Sequence, residues 1–418
     1  MDKQKDRYFK RNVCAVSSSE FLWGFGFPVL LESTFLQLFL KSLGASSFAV
    51  GIVPSLFIAS ISFFPLFSSY FSRNYRYKRM LVLYAHLATG LAILMLGLLI
   101  LTIGTANNTL ILFFICYSIF SICLGLTIPV WLNYNVRIFS EAKLVPGLGY
   151  MMLCQNTAKI ISSFFILKVV EEFAFSVKSS AWVFVATGVV FIVAAIPFAF
   201  TKELADPADP KPDKQTFFQH IRDSLIEIMN NRRFLLYLAA DLDFYIILTT
   251  MGFYANYATA YFGIDPAVAA GVFVACIYSG SITVNVLLGT MNLLSLKQKF
   301  VLSKAMAVML LMLLVFFPTA PIFFVVSFML GFVRAIRNMV YSPSVKKFSN
   351  RIDTTPYFSL APLLTLPFAA GFPLLFGRLL DNLAYLGADS YRILFGVSML
   401  ISATAFCLSL RIDYRNLP

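Results

Sequence analysis

Apolar residues in this chain gather into long, nearly unbroken runs, separated by short polar connections and by one extended polar stretch from Thr201 to Arg233. A hydrocarbon core about 30 Å thick needs roughly 20 mostly apolar residues at 1.5 Å each if a helix is to cross it. Twelve runs reach that length, six on either side of the polar stretch. The first six lie near Asn12 to Phe39, Phe48 to Phe71, Met80 to Ile103, Thr109 to Trp131, Gly147 to Val170 and Ala181 to Phe200. The second six lie near Phe234 to Tyr261, Ala267 to Met291, Phe300 to Phe317, Ala320 to Ser342, Pro356 to Leu379 and Tyr391 to Leu410. Lipid offers no partner to backbone N–H and C=O groups, so each run must satisfy its own, and runs this continuous do so as helices. The pattern predicts an all-α membrane protein of 12 transmembrane helices in two six-helix bundles. Its domains are residues 1–200, a cytoplasmic linker 201–233 with an amphipathic helix near Thr216 to Asn230, and residues 234–418.

Composition agrees with the pattern: 59% hydrophobic residues, 13% charged and a mean hydropathy of +0.80 exclude a soluble domain of this length. Charge then sets orientation, because basic connections resist translocation. With the N-terminus inside, the inner connections hold Lys3 to Arg11, Arg73 to Arg79, Arg137, Lys143, the linker cations, Lys297, Lys299, Lys304, Lys346, Lys347, Arg351, Arg411 and Arg415. The outer ones hold only Lys41, Lys168, Lys178, Arg378 and Arg392, a split of about five to one. Both termini are therefore expected on the cytoplasmic side of a plasma or bacterial inner membrane. The net charge of +13 reads as topological signal and contact with anionic lipid, not as a nucleic-acid surface. The polar Met1–Arg11 segment and the length of the first run argue against a cleavable leader. Six cysteines without Cys-x-x-Cys spacing read as small buried residues in the spans.

The halves resemble each other. Ser47-Phe48-Ala49-Val50-Gly51 opens span two and Ala267-Val268-Ala269-Ala270-Gly271 opens span eight, while Gly125 to Ser140 and Gly331 to Ser349 both end a span in a basic segment closing on Phe-Ser. Repeats of this kind build two rocking halves around one site in many transporters.

The six-plus-six layout, the charged central loop ending Asn231-Arg232-Arg233-Phe234 and the basic loop after span two together resemble the major facilitator superfamily over essentially the full chain. That family usually carries a Gly-x-x-x-Asp-Arg-x-Gly-Arg-Arg type motif in the loop, and here Ser68, Ser72 and Tyr75 stand for its Gly, Asp and second Gly. The resemblance leaves Arg73 and Arg76 as gating-loop candidates. Gly377-Arg378-Leu379-Leu380-Asp381 is similar to a common family ending of span eleven. The resemblance also implies that spans one, four, seven and ten line a central cavity.

Ionisable residues inside spans carry the functional signal, since a charge in lipid is expensive and normally faces a partner or a wet path. Seven qualify: Glu20 and Glu32 in span one, Lys159 in span five, Asp241 and Asp243 in span seven, and Arg334 and Arg337 in span ten. At 1.5 Å per residue, Glu20, Asp241, Asp243, Arg334 and Arg337 all fall about 4 to 9 Å to the cytoplasmic side of their midpoints. Arg334 and Arg337 are three apart and share a face. Asp241 and Asp243 point about 200° from each other on a continuous helix, so only one faces inward squarely, and Asp243 is preferred. Four acids against three bases leave one carboxylate to bind a proton, with Glu20 or Glu32 expected in that role. The bland alternative is that the arginines pair with the aspartates to lock a gate. Among lesser candidates, His86 is expected at the interface, Asn133, Tyr134 and Asn135 are expected to cap a loop, and Trp23, Phe25 and Phe27 to pack.

No Gly-x-x-x-x-Gly-Lys-Ser/Thr loop and no His-Glu-x-x-His are present, which disfavours direct ATP use and a metalloprotease. No cofactor, metal or enzymatic activity is expected. The sequence points to a secondary active, proton-coupled transporter of a small polar or anionic organic solute, working as a monomer. A lipid or hydrophobic-compound exporter, or a transport-inactive sensor, are the alternatives.

Overall fold

The computed structural model describes residues 2–30, 35–36, 39–40, 43–45, 47–72, 75–104, 106–173, 176–204, 216–264 and 269–414. Every one of the twelve predicted runs carries helix. In the first half these are Phe9–Leu30, Ser47–Phe63 continued by Pro65–Ser72, Arg79–Ile103, Ala106–Ile138, Glu141–Phe173 and Val177–Ala199. In the second they are Arg232–Asp241 continued by Asp243–Tyr261, an interrupted span at Ala269–Thr290, Leu296–Phe316, Ala320–Ser349, Thr355–Asn382 and Ala388–Arg411. The linker contributes the helix Phe217–Asn230. Among the described residues, nine helices are long and apolar enough to cross a membrane on their own, with shorter apolar helices at Leu56–Ser72 and Val274–Thr290.

Helix ends follow local chemistry. Span nine starts at a capping box in which Ser295 accepts from the Gln298 N–H and Gln298 accepts in turn from the Ser295 N–H. Span ten stops at Asn350, which takes the left-handed conformation at φ 48° that short polar side chains tolerate. Span eight is unusual: π-helical turns at Ala269–Phe273 and Asn285–Thr290 flank an α-helical centre.

Packing divides the chain into two units, residues Met1–Ser224 with Ile352–Pro362, and Leu225–Arg351 with Leu363–Pro418. Within the first, span one runs along spans five and six, and span three along span six. Within the second, span eight lies along span ten, and span nine along spans ten and twelve. Glycine permits the closest approaches. A Cβ on Gly125 of span four would stand 2.5 Å from the Ser60 carbonyl oxygen of span two, and one on Gly331 of span ten would stand 1.8 Å from the Ile277 carbonyl oxygen of span eight. Gly125 and Gly331 are the residues at which the sequence similarity between the halves begins, and both place span four or ten directly against span two or eight. Hydroxyls complete such seams: Ser19 donates to the Ala194 carbonyl at 2.7 Å, Ser162 to Phe25 at 2.6 Å and Ser281 to Gly331 at 3.0 Å. Interhelical bonds of this kind contribute about 0.6 kcal/mol each in lipid.

Candidate functional site

The second unit holds a cluster of charged side chains inside its spans. Lys304, only 1% exposed, donates to Asp241 Oδ1 at 3.0 Å and also to Asp243 Oδ1. Arg337 donates from Nε to the other Asp241 oxygen at 3.0 Å. Its guanidinium packs on two rings, with the Phe244 and Tyr341 centroids each 4.2 Å from Cζ. Such stacking desolvates the cation while the rings' negative faces stabilise it.

Span seven is not a continuous helix here, and that decides the geometry. It breaks at Leu242, where Leu242 N–H bonds to the Ala239 carbonyl and Tyr245 N–H to the Leu242 carbonyl, both three residues back. These tighter turns alter the phase expected of an unbroken helix, so both aspartates reach the same ammonium. The expectation that only one could face inward is therefore corrected. Lys304, read from the sequence as a loop cation, is corrected too: it sits inside span nine, more than two turns from its Ser295 cap. Adding it to Lys159, Arg334 and Arg337 makes four bases against the four acids picked out in the spans, which removes the surplus carboxylate inferred from the sequence.

In the first unit, Glu20 is 4% exposed and accepts from Gln155 Nε2 at 2.6 Å. Lys159, four residues beyond Gln155 and on the same helix face, attracts it electrostatically, while its ammonium lies 4.5 Å from the Phe27 ring centroid. Glu20, Gln155, Lys159 and Phe27 thus join spans one and five. Arg334 is half-buried in span ten. Glu32 and Arg73 lie outside the described residues. Arg76 is exposed; its carbonyl accepts from Arg137 at 3.0 Å.

The buried cation of the loop after span two is instead Lys78, which sequence reasoning counted only for topology. It is 1% exposed and donates to Asp353 at 3.0 Å and to the Ser72 carbonyl at 2.5 Å. Asn133, expected to cap a loop, is buried in the long span-four helix, donating to Asp353 at 3.0 Å and accepting from the Thr354 N–H and hydroxyl. Glu203 accepts from the Lys78 and Arg79 N–H groups at 3.0 and 2.8 Å and pairs with Arg137 at 3.0 Å. Burial pushes the Glu203 carboxyl above its ordinary range, against the pull of the Lys78 amide and Arg137. Burial acts the same way on Asp353, but the Lys78 ammonium and the Thr355 donors outweigh it and hold that carboxyl below the usual range.

His86, expected at the interface, is buried because it faces inward from span three: a ring nitrogen bonds to the Val82 carbonyl at 2.7 Å, and Trp23 and Phe198 pack on it at 5.1 and 4.6 Å. Trp23 stacks on Phe191 at 3.9 Å. Tyr134 bonds Thr201, and Asn135 is fully buried with both amide atoms unpartnered among the described residues. All six cysteines are free; Cys14 and Cys407 are exposed on helix surfaces, not buried as expected.

Buried acid–base groups inside the spans of both units, in a polytopic helical membrane protein, fit a solute transporter. The Major Facilitator Superfamily profile matches residues 21–343, and the chain belongs to that family. Comparison with curated proteins by sequence gives no match. Among solved structures, the fold is similar to the Major Facilitator Superfamily transporter FucP in the outward conformation, with a TM-score of 0.77 and 15% identity over 96% of this chain and 98% of that one. A single-substitution variant of the E. coli fucose:proton symporter FucP matches at 0.74, 15%, 96% and 98% in the same order. The human organic anion transporter MFSD10 matches at 0.71, 12%, 96% and 99%. At these identities the likeness establishes the fold.

Proposed function

We propose that the chain is a proton-coupled secondary transporter that moves a small polar or anionic organic solute across the cytoplasmic membrane by alternating access. Its six-helix halves, residues 1–200 and 234–418, would rock about the linker 201–233, with both termini in the cytoplasm. The observation that carries the reading is the burial of ionisable groups in both units, Glu20 with Lys159 in one and Asp241, Asp243, Lys304 and Arg337 in the other. A charge inside a membrane span is costly and normally faces a partner or a water-filled path. A proton symporter for a sugar and an organic anion transporter share this fold, which supports a small polar cargo.

Glu20 is the proton carrier proposed for the first unit. Its hydrogen bond with Gln155 comes from a neutral amide, which can serve either protonation state of the carboxyl by exchanging donor for acceptor. Uptake into proteoliposomes under an imposed pH gradient tests the reading. Glu20→Gln should abolish uphill accumulation while preserving exchange of solute for solute. If Glu20→Gln accumulates solute as the native protein does, with the same pH profile, Glu20 is not the carrier.

A further inference from the structure

The charge cluster of the second unit leaves one donor edge open in a definite direction. The Phe244 and Tyr341 rings pack on the Arg337 guanidinium, each centroid 4.2 Å from its Cζ. Its Nε edge is occupied by Asp241. Among the described residues, Nη1 and Nη2 have no hydrogen-bond acceptor, and the side chain is 18% exposed. The donors left open are those of the Nη1–Nη2 edge. That edge matches two coplanar oxygens, as in a carboxylate, and not a hydroxyl.

The same cluster holds an acceptor without a donor. Asp243 is 1% exposed and uses Oδ1 on Lys304, while Oδ2 is buried without a partner among the described residues. An unpartnered carboxylate oxygen in a dry site is placed to accept a proton. The groups acting on it are Asp241, Lys304 and Arg337, with Tyr237, Tyr245, Tyr341 and Tyr414 around Asp241 and Arg337.

We propose that this cluster is a proton-linked anion subsite. The Nη1–Nη2 edge of Arg337 binds the carboxylate of a monoanionic solute, and Asp243 takes one proton at Oδ2 in the same step. The charges balance. Lys304 and Arg337 against Asp241 and Asp243 sum to zero, and adding one anion and one proton leaves zero, so loading never leaves net charge in the low-dielectric interior. The inference deepens the transport reading above and rests on it for its physiological use, but the subsite itself is tested by binding alone.

The experiment is calorimetry on the purified full-length protein with lactate, benzoate and octanoate, and with benzamide as the uncharged control, in buffers of differing ionisation enthalpy. Binding of at least one carboxylate should take up about one proton per ligand at neutral pH and weaken as pH rises. Asp243→Asn should keep or tighten that binding and lose both the proton uptake and the pH dependence. Arg337→Lys, which keeps the charge but not the planar edge, should weaken it by about tenfold or more. Absence of carboxylate binding, binding without proton uptake, or equal affinity in Arg337→Lys each overturns the proposal. Proton-linked binding without any uptake in liposomes would keep the subsite and defeat the transporter reading. Transport of an uncharged solute with no carboxylate bound would do the reverse.

Discussion

Removing the Lys304 ammonium should destabilise the second unit more than any other single charge deletion in it. Lys304→Met keeps the side chain's length and apolar body and deletes the cation shared by two buried carboxylates. At 3.0 Å and an effective dielectric of 20, the attraction to Asp241 alone is about 5.5 kcal/mol before desolvation is counted. Deleting one partner of a buried pair typically costs about 3–5 kcal/mol, because the other charge stays behind unpaired. Asp243→Asn in the same chain removes the stranded charge and leaves Asp241 with Arg337. The double variant should therefore recover about half or more of the loss. Unfolding in mixed micelles of increasing SDS fraction, followed by circular dichroism, measures each corner of the cycle. A Lys304→Met protein as stable as the native one, or a double variant that merely sums two losses, would refute the account of this cluster.

Close packing of spans eight and ten predicts that Gly331→Ala, whose Cβ would lie 1.8 Å from the Ile277 carbonyl, loses about 1–3 kcal/mol or more by the same assay. Gly396→Ala, with nothing within 4 Å, should be neutral or slightly stabilising. Asp353 titrates below its ordinary value when folded, so its contribution is complete above about pH 4 and is lost as pH falls through the folded value. Lys78→Met removes the cation that holds it down, so the acid loss of thermal stability should begin at higher pH than in the native protein, and an unchanged acid limb would contradict the pairing.

Much of this organisation was legible from the chain. Spans announce themselves because lipid forces both apolarity and length on a helix, and Asp241, Asp243 and Arg337 could be picked out because charge is rare in such runs. Their partners were harder to see. Lys304 follows Lys297 and Lys299 at the start of span nine, so it looks like one more basic loop residue; its depth past the Ser295 cap was the available signal. The convergence of Asp241 and Asp243 depends on the break at Leu242, which no proline or glycine marks in the sequence. Gln155 could have been found, four residues before Lys159 on one face. Asp353 and Glu203 stand outside the apolar runs, and only tertiary packing with Lys78, Asn133 and Arg137 shows that they are buried.

The central claim is that solute and proton cross together. Sealed proteoliposomes holding a pH-sensitive dye report it directly: adding lactate outside should acidify the lumen faster with the native protein than in protein-free liposomes, and Asp243→Asn should add nothing to the protein-free rate despite intact binding. A native protein that binds carboxylates and acidifies the lumen no faster than protein-free liposomes, with lactate or any other bound carboxylate, would contradict it.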